Sequence, residues 1–251
     1  MTGLALGAAR TCDYAAISIV VGGIAFRAWC WAPAIRADAS RQPGSDAQAA
    51  FDRRLARLIG GAVSLGLAAS ATVALVGGDP GASLPALARG PLLSAEAALG
   101  FVHLLAASLW VGGVACLAIA VPGALARLGE IKRIELLLDS MERFSPLALA
   151  SVGAIVSTGV AHACLGLRRP GDLLATGFGL LILAKLALLA PLLGLGAVNR
   201  SRVIPALRLR ARHRRGSSEI AALARRSLGC ELALMVLVLA ASAALVSEAP
   251  R

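Results

Sequence analysis

Long apolar runs alternate with short arginine-bearing connections along the chain. A helix needs about 20 apolar residues to cross a bilayer. Six runs approach or exceed that scale: Asp13–Pro33, Leu55–Gly77, Ala97–Val121, Pro146–Leu167, Phe178–Val198 and Gly229–Ser247. The pattern predicts an all-α integral membrane protein, a bundle of six transmembrane helices. The first run lacks a short apolar core ending in a small-residue cleavage site, so it reads as a retained helix. Connections one, three and five carry Arg36, Arg41, Arg53, Arg54 and Arg57, then Arg127, Lys132, Arg133 and Arg143, then a cluster from Arg200 to Arg226. The opposite side carries only Arg10, Arg89, Arg168, Arg169 and Arg251. The positive-inside rule then places both termini in the periplasm of a bacterial inner (plasma) membrane.

Several local signals refine this picture. Arg27, Trp29 and Trp31 near the inner end of the first run read as a snorkelling cation and an interfacial aromatic belt. Pro80, Pro85 and Pro91 mark the outer connection Gly78–Glu96 as a loop. Ile131, Ile134, Leu137, Leu138 and Met141 recur at helical spacing among charges, which predicts a short amphipathic helix on the inner surface. Ser145 is placed to cap the next span, with Pro146 in its first turn. Pro191 should kink the fifth.

The first and third runs resemble each other. Ala16 to Ala25 aligns with Ala106 to Ala115, and six of the ten positions are identical, including Ser18/Ser108, Gly22/Gly112 and Gly23/Gly113. Gly60/Gly153, Ser64/Ser157 and Gly66/Gly159 relate the second and fourth runs in the same way. A two-helix unit used twice in one orientation, a parallel repeat, accounts for both. In such a repeat Asp13 takes the place of His103. The chain then divides into an N-terminal two-helix region, 1–96, and a four-helix region, 97–251.

Composition agrees with the pattern: 58% of the 251 residues are hydrophobic and the mean hydropathy is +0.78. A soluble domain does not have this composition. The net charge of +11 comes almost wholly from arginines between apolar runs. That distribution fits loops facing anionic lipid and not a nucleic-acid surface. Five cysteines without regular spacing form no disulfide framework. No phosphate loop, nucleophile elbow or Cys-x-x-Cys is present.

Ionisable side chains inside a membrane mark function by default. His103, His162 and Lys185 each lie within about two helical turns of the outer end of their span, so three helices bring them to one level. Asp13, Glu96, Asp172 and Glu248 lie just above it. Imidazole with carboxylate suits copper or zinc, which makes His103, His162, Asp13 and Glu96 the candidate metal ligands. Two imidazoles on facing helices also suit a haem iron, haem b being the alternative cofactor. Lys185 cannot ligate a metal, but it can hold an anion, a carboxylate ligand or a haem propionate. Trp110 shares the His103 face two turns further in, and with Lys185 it is the candidate cofactor contact. Cys30, Cys116 and Cys230 fall near the inner side, where buried packing and a soft copper site are the two readings.

Three segments carry a family resemblance: His103 to Gly113 with its Trp-Val-Gly-Gly ending, Phe144-Ser-Pro-Leu-Ala with Ser157-Thr-Gly159, and Gly177 to Lys185 with Asn199-Arg200 and Arg226 to Glu231. From Ala97 to Pro250 the chain resembles the copper resistance D family of inner-membrane proteins. Many of its members have eight spans, two more than are read here. The resemblance implies copper handling between periplasm and cytoplasm, as transport, uptake or tolerance, with a periplasmic copper-binding protein as an expected partner. A small membrane protoporphyrinogen oxidase is similar to the same superfamily, which makes a haem-binding oxidoreductase the alternative function.

Overall fold

The structure is a computed structural model, and it describes residues 2–37, 44–75, 95–167, 169, 171–213 and 218–248. The helices are α1 (Thr2–Phe26), α2 (Ala32–Ala37), α3 (Gly44–Leu75), α4 (Ala95–Ala115), α5 (Val121–Ala124), α6 (Glu130–Gly166), α7 (Asp172–Ala175), α8 (Gly177–Val198), α9 (Ile204–Arg212) and α10 (Ser218–Glu248). Among the described residues there is no strand. Five helical stretches are long and apolar enough to cross a membrane: Gly7–Ala37, Glu96–Ala124, Glu130–Gly166, Gly179–Arg212 and Ala222–Ala243. The expected second span falls on α3 as far as Leu75; α3 is not one of the five. Most of the proline-rich connection, 76–94, lies outside the described residues.

Three of these stretches continue through a π-helical turn: Arg27–Trp31 joins α1 to α2, Cys116–Ala120 joins α4 to α5, and Asn199–Val203 joins α8 to α9. One cause fits all three. Pro33, Pro122 and Pro205 each stand two residues beyond a π turn. A proline has no N–H to give and its ring crowds the carbonyl four residues back. Those carbonyls belong to Trp29, Ala118 and Ser201, the middle residue of each turn. Widening the helix there by one residue relieves the crowding, as π bulges do. The first span therefore does not end at Pro33 but runs on to Ala37.

Helix α1 is the hub, packed against α3, α4 and α10. Helix α4 also packs on α6, α8 on α10, and α9 on α6. With lipid outside, such contacts depend on close fit rather than water exclusion. The closest fit is where α1 crosses α4. A Cβ on Gly22 would overlap the Ser108 carbonyl, and one on Gly112 would overlap the Ser18 carbonyl. Ser18 and Ser108 are themselves buried. The two helices thus exchange the same contact, between residues 90 positions apart.

Around Phe26 the core is aromatic. Phe26 lies between Phe51 and Phe144, with ring centroids 6.1 and 5.8 Å away. Each such pair contributes about 0.5–1.5 kcal/mol beyond its area. Trp31 stacks on Phe51 at 4.6 Å and is fully buried, whereas Trp29 is exposed. The expected belt is therefore Trp29 alone. Arg27 does not simply snorkel; it donates to Asp52 at 2.7 Å. That hydrogen bond, with a further one from Gln48, holds the Asp52 carboxyl below its ordinary range against the opposing effect of burial.

The expected surface helix over 130–144 is not separate. Helix α6 runs unbroken through Ser145 and Pro146, so Ser145 caps nothing. Ile134, Leu137, Leu138 and Met141 are buried in the core, while Ile131 stays exposed. Their apolar stripe packs within the helical core instead of on lipid. Ser145 instead accepts from Arg200 at 2.6 Å, and Glu142 accepts from Arg208 on α9.

Candidate functional site

Helices α4 and α6 bring the two predicted histidines together. The His103 and His162 ring centroids are 6.1 Å apart and nearly perpendicular, at 87°. One metal ion shared by two imidazoles, each with a bond of about 2 Å, needs a spacing of this order. Thr158, one turn before His162, sets the orientation of His103. Its Oγ1 donates to the Ala154 carbonyl at 2.6 Å and lies 2.8 Å from His103 Nδ1. A hydroxyl has one proton. With that proton on Ala154, Oγ1 accepts from Nδ1–H, which leaves the Nε2 lone pair of His103 for a ligand. An imidazole held through its far nitrogen is the usual support of a metal-binding histidine. Gly159 leaves room at the ring edge: a Cβ there would be 3.8 Å from His103 Cε1.

Lys185 on α8 is half-buried and within electrostatic range of His103, so the third member of the predicted layer is present. The carboxylates are placed differently. Asp13 accepts from Ser70 on α3, with Ser70 Oγ 3.4 Å from both carboxylate oxygens. Glu96 is exposed in the first turn of α4, and Asp172 accepts from the Arg169 backbone N–H. The Glu248 side chain lies outside the described residues. Among the described residues no group of three or more His, Cys, Asp or Glu side chains is placed to hold a metal.

Trp110 is buried two turns inward of His103 and belongs to another space. It lines a cavity of about 230 Å³ with Phe144, Met141, Asn199 and Glu231. Glu231 accepts from Asn199 Nδ2 at 2.6 Å, and Asn199 Oδ1 is buried without a hydrogen-bond partner among the described residues. From the sequence, Asn199 and Glu231 carry the family resemblance and are not candidate site residues. Their signal is weak, since Asn199 borders the polar run Arg200-Ser-Arg202 and Glu231 closely follows Arg225-Arg226-Ser227. Cys30 and Cys116 are buried close to each other, and Cys230 is exposed.

Long apolar helices with Leu149, Val160, Leu165 and Leu180 exposed on their flanks define a multi-pass α-helical membrane protein. Residues 138–245 match the family model of copper resistance protein D. A segment of 101 residues is 34% identical to the "Copper transport protein CutJ" of Bacillus subtilis (strain 168), covering 40% of this chain. The match spans only 18% of that relative's length. Both findings support the copper resistance protein D family. The matched region contains His162, Lys185, Asn199 and Glu231, while His103 precedes it. No solved structure gives a significant match.

Proposed function

We propose that the protein handles copper in a bacterial inner membrane, taking the ion from the periplasmic side at His103 and His162 for uptake or tolerance. The observation that carries this reading is the imidazole pair on two helices, with His103 turned by Thr158 so that Nε2 is left for a ligand. The copper-related family match and relative supply the metal. Lys185 beside the pair holds an anion that accompanies the ion, or adjusts its affinity through charge. Asp13 and Glu96 complete the shell only by side-chain movement, and a periplasmic copper-binding protein is the donor of the ion. Copper content and the absorption spectrum of the purified protein test the reading. Bound copper without a Soret band is expected; a Soret band without copper would replace it with the haem-binding alternative.

The finer architecture belongs to the same proposal: six spans, with α3 as the second, both termini periplasmic, and regions 1–96 and 97–251 as the two parts. The parallel repeat is supported by the reciprocal Gly22/Gly112 crossing and by a second pair of like contacts. A Cβ on Gly66 would meet Asp13 Oδ1 at 3.2 Å, as one on Gly159 would meet His103. The first unit then holds Asp13 with Ser70 where the second holds His103 with Thr158. Alkaline phosphatase fused after Arg251 is expected to be active; activity from a cytoplasmic reporter alone at that position would refute this topology.

A further inference from the structure

The copper reading makes no use of the larger cavity, about 480 Å³, on the inner side between α3 and α5. Arg53, Arg54 and Arg57 of α3 line it, with Arg127 from the turn after α5, and Asp46 is its one acidic wall residue. Among the described residues none of these four arginines forms an ion pair. Asp52, the next acid along α3, is taken by Arg27 and Gln48. Arg53 and Arg57 stand one turn apart, an arrangement in which like charges repel. Arg54 reaches the cavity wall by lying across Gly123, where a Cβ would overlap its guanidinium. Arg57 Nε also donates to the Arg53 carbonyl at 3.4 Å. Four arginine side chains thus line one open space against a single carboxylate, an excess of positive charge that an anion offsets.

We propose that this cavity binds a phosphate-bearing anion, either the headgroup of an anionic phospholipid in the inner leaflet or a free phosphate compound. Guanidinium matches phosphate oxygens in pairs, and a basic pocket between helices on this side of a membrane is suited to a headgroup. The cavity lies at the inner ends of the second and third spans, the level of the lipid phosphates. Its size exceeds what a single inorganic phosphate fills, so a glycerophosphate or a diphosphate fits better.

The test is native mass spectrometry of the full chain in detergent, titrated with phosphatidylglycerol, phosphatidylcholine, inorganic phosphate and pyrophosphate. Saturable retention of phosphatidylglycerol over phosphatidylcholine identifies a lipid headgroup. Saturable binding of pyrophosphate or phosphate without a lipid preference identifies a free anion. Either should weaken about tenfold or more in Arg54→Gln/Arg127→Gln, since charged hydrogen bonds are lost. Gly123→Leu, which fills the wall and displaces Arg54 without removing charge, should do the same. Arg225→Gln on α10, outside the cavity, should leave binding unchanged. Absence of saturable anion binding by the unaltered protein overturns the site, and so does equal loss in Arg225→Gln.

Discussion

Replacing His103 or His162 by alanine is expected to remove most copper binding, and replacing both to add little. The rings sit on different helices at 6.1 Å, so an ion held between them needs both. Loss of either leaves it under-coordinated, and residues that act as a unit are not additive. Thr158→Val keeps both imidazoles but removes the acceptor of His103 Nδ1–H. The cost of losing such an orienting partner is about 10–100-fold in metal affinity. Lys185→Met removes charge and no ligand, so it should change affinity or pH dependence while leaving stoichiometry intact. Acid should weaken binding throughout, because a ligand nitrogen must be neutral. Copper stoichiometry and affinity in detergent across pH, for the protein and these variants, decide the matter. Undiminished binding in the double histidine variant would sink the site and direct the search to Cys30 and Cys116.

The helices were legible because apolar length is a strong signal, and the nearness of His103 and His162 was legible because rise per residue is fixed. What lay between elements was harder. Reading Pro33 as an end and Pro146 as a first turn assumed that proline stops a helix. In lipid the freed carbonyl has no water to turn to, so the helix persists and widens or tolerates the gap. Pro33, Pro122 and Pro205 could have predicted all three π turns had they been read that way. The stripe Ile134 to Met141 fits a membrane surface and a protein core equally well, since both are apolar partners. Trp31 likewise fits a belt or a core, and its stacking on Phe51 depends on a helix 20 residues away in sequence.

The site divides along the same line. Equal depth is a one-dimensional property and found the histidine pair. Azimuth around the bundle is not readable from spacing within one helix. Asp13 pairs with Ser70 on α3, and Trp110, expected on the His103 face, opens on the cavity it shares with Asn199 and Glu231. The Asn199–Glu231 bond needed two helices in register, 32 residues apart.

The α1–α4 crossing should be the least tolerant place in the chain. At Gly22 and Gly112 the hydrogen that stands in place of Cβ points at a backbone carbonyl of the other helix, the geometry of a weak Cα–H···O contact. A methyl group there meets backbone, which no rotamer change can move aside, so the helices must separate and α1 loses its fit to α4. Gly22→Ala and Gly112→Ala are each expected to destabilise the protein by about 1–3 kcal/mol or more, the usual cost of overpacking. Gly153→Ala is the control. Nothing lies within 4 Å of a Cβ at that position, and alanine in an open helical site is favoured over glycine by about 0.5–1 kcal/mol. Glycine-to-alanine changes of identical chemistry should therefore have opposite signs. Because both crossing residues guard one contact, the double variant Gly22→Ala/Gly112→Ala should cost less than the sum of its parts. Denaturation of the purified variants in detergent measures all four. If Gly22→Ala and Gly112→Ala behave like Gly153→Ala, the reciprocal crossing is wrong, and the structural support for a repeated two-helix unit falls with it.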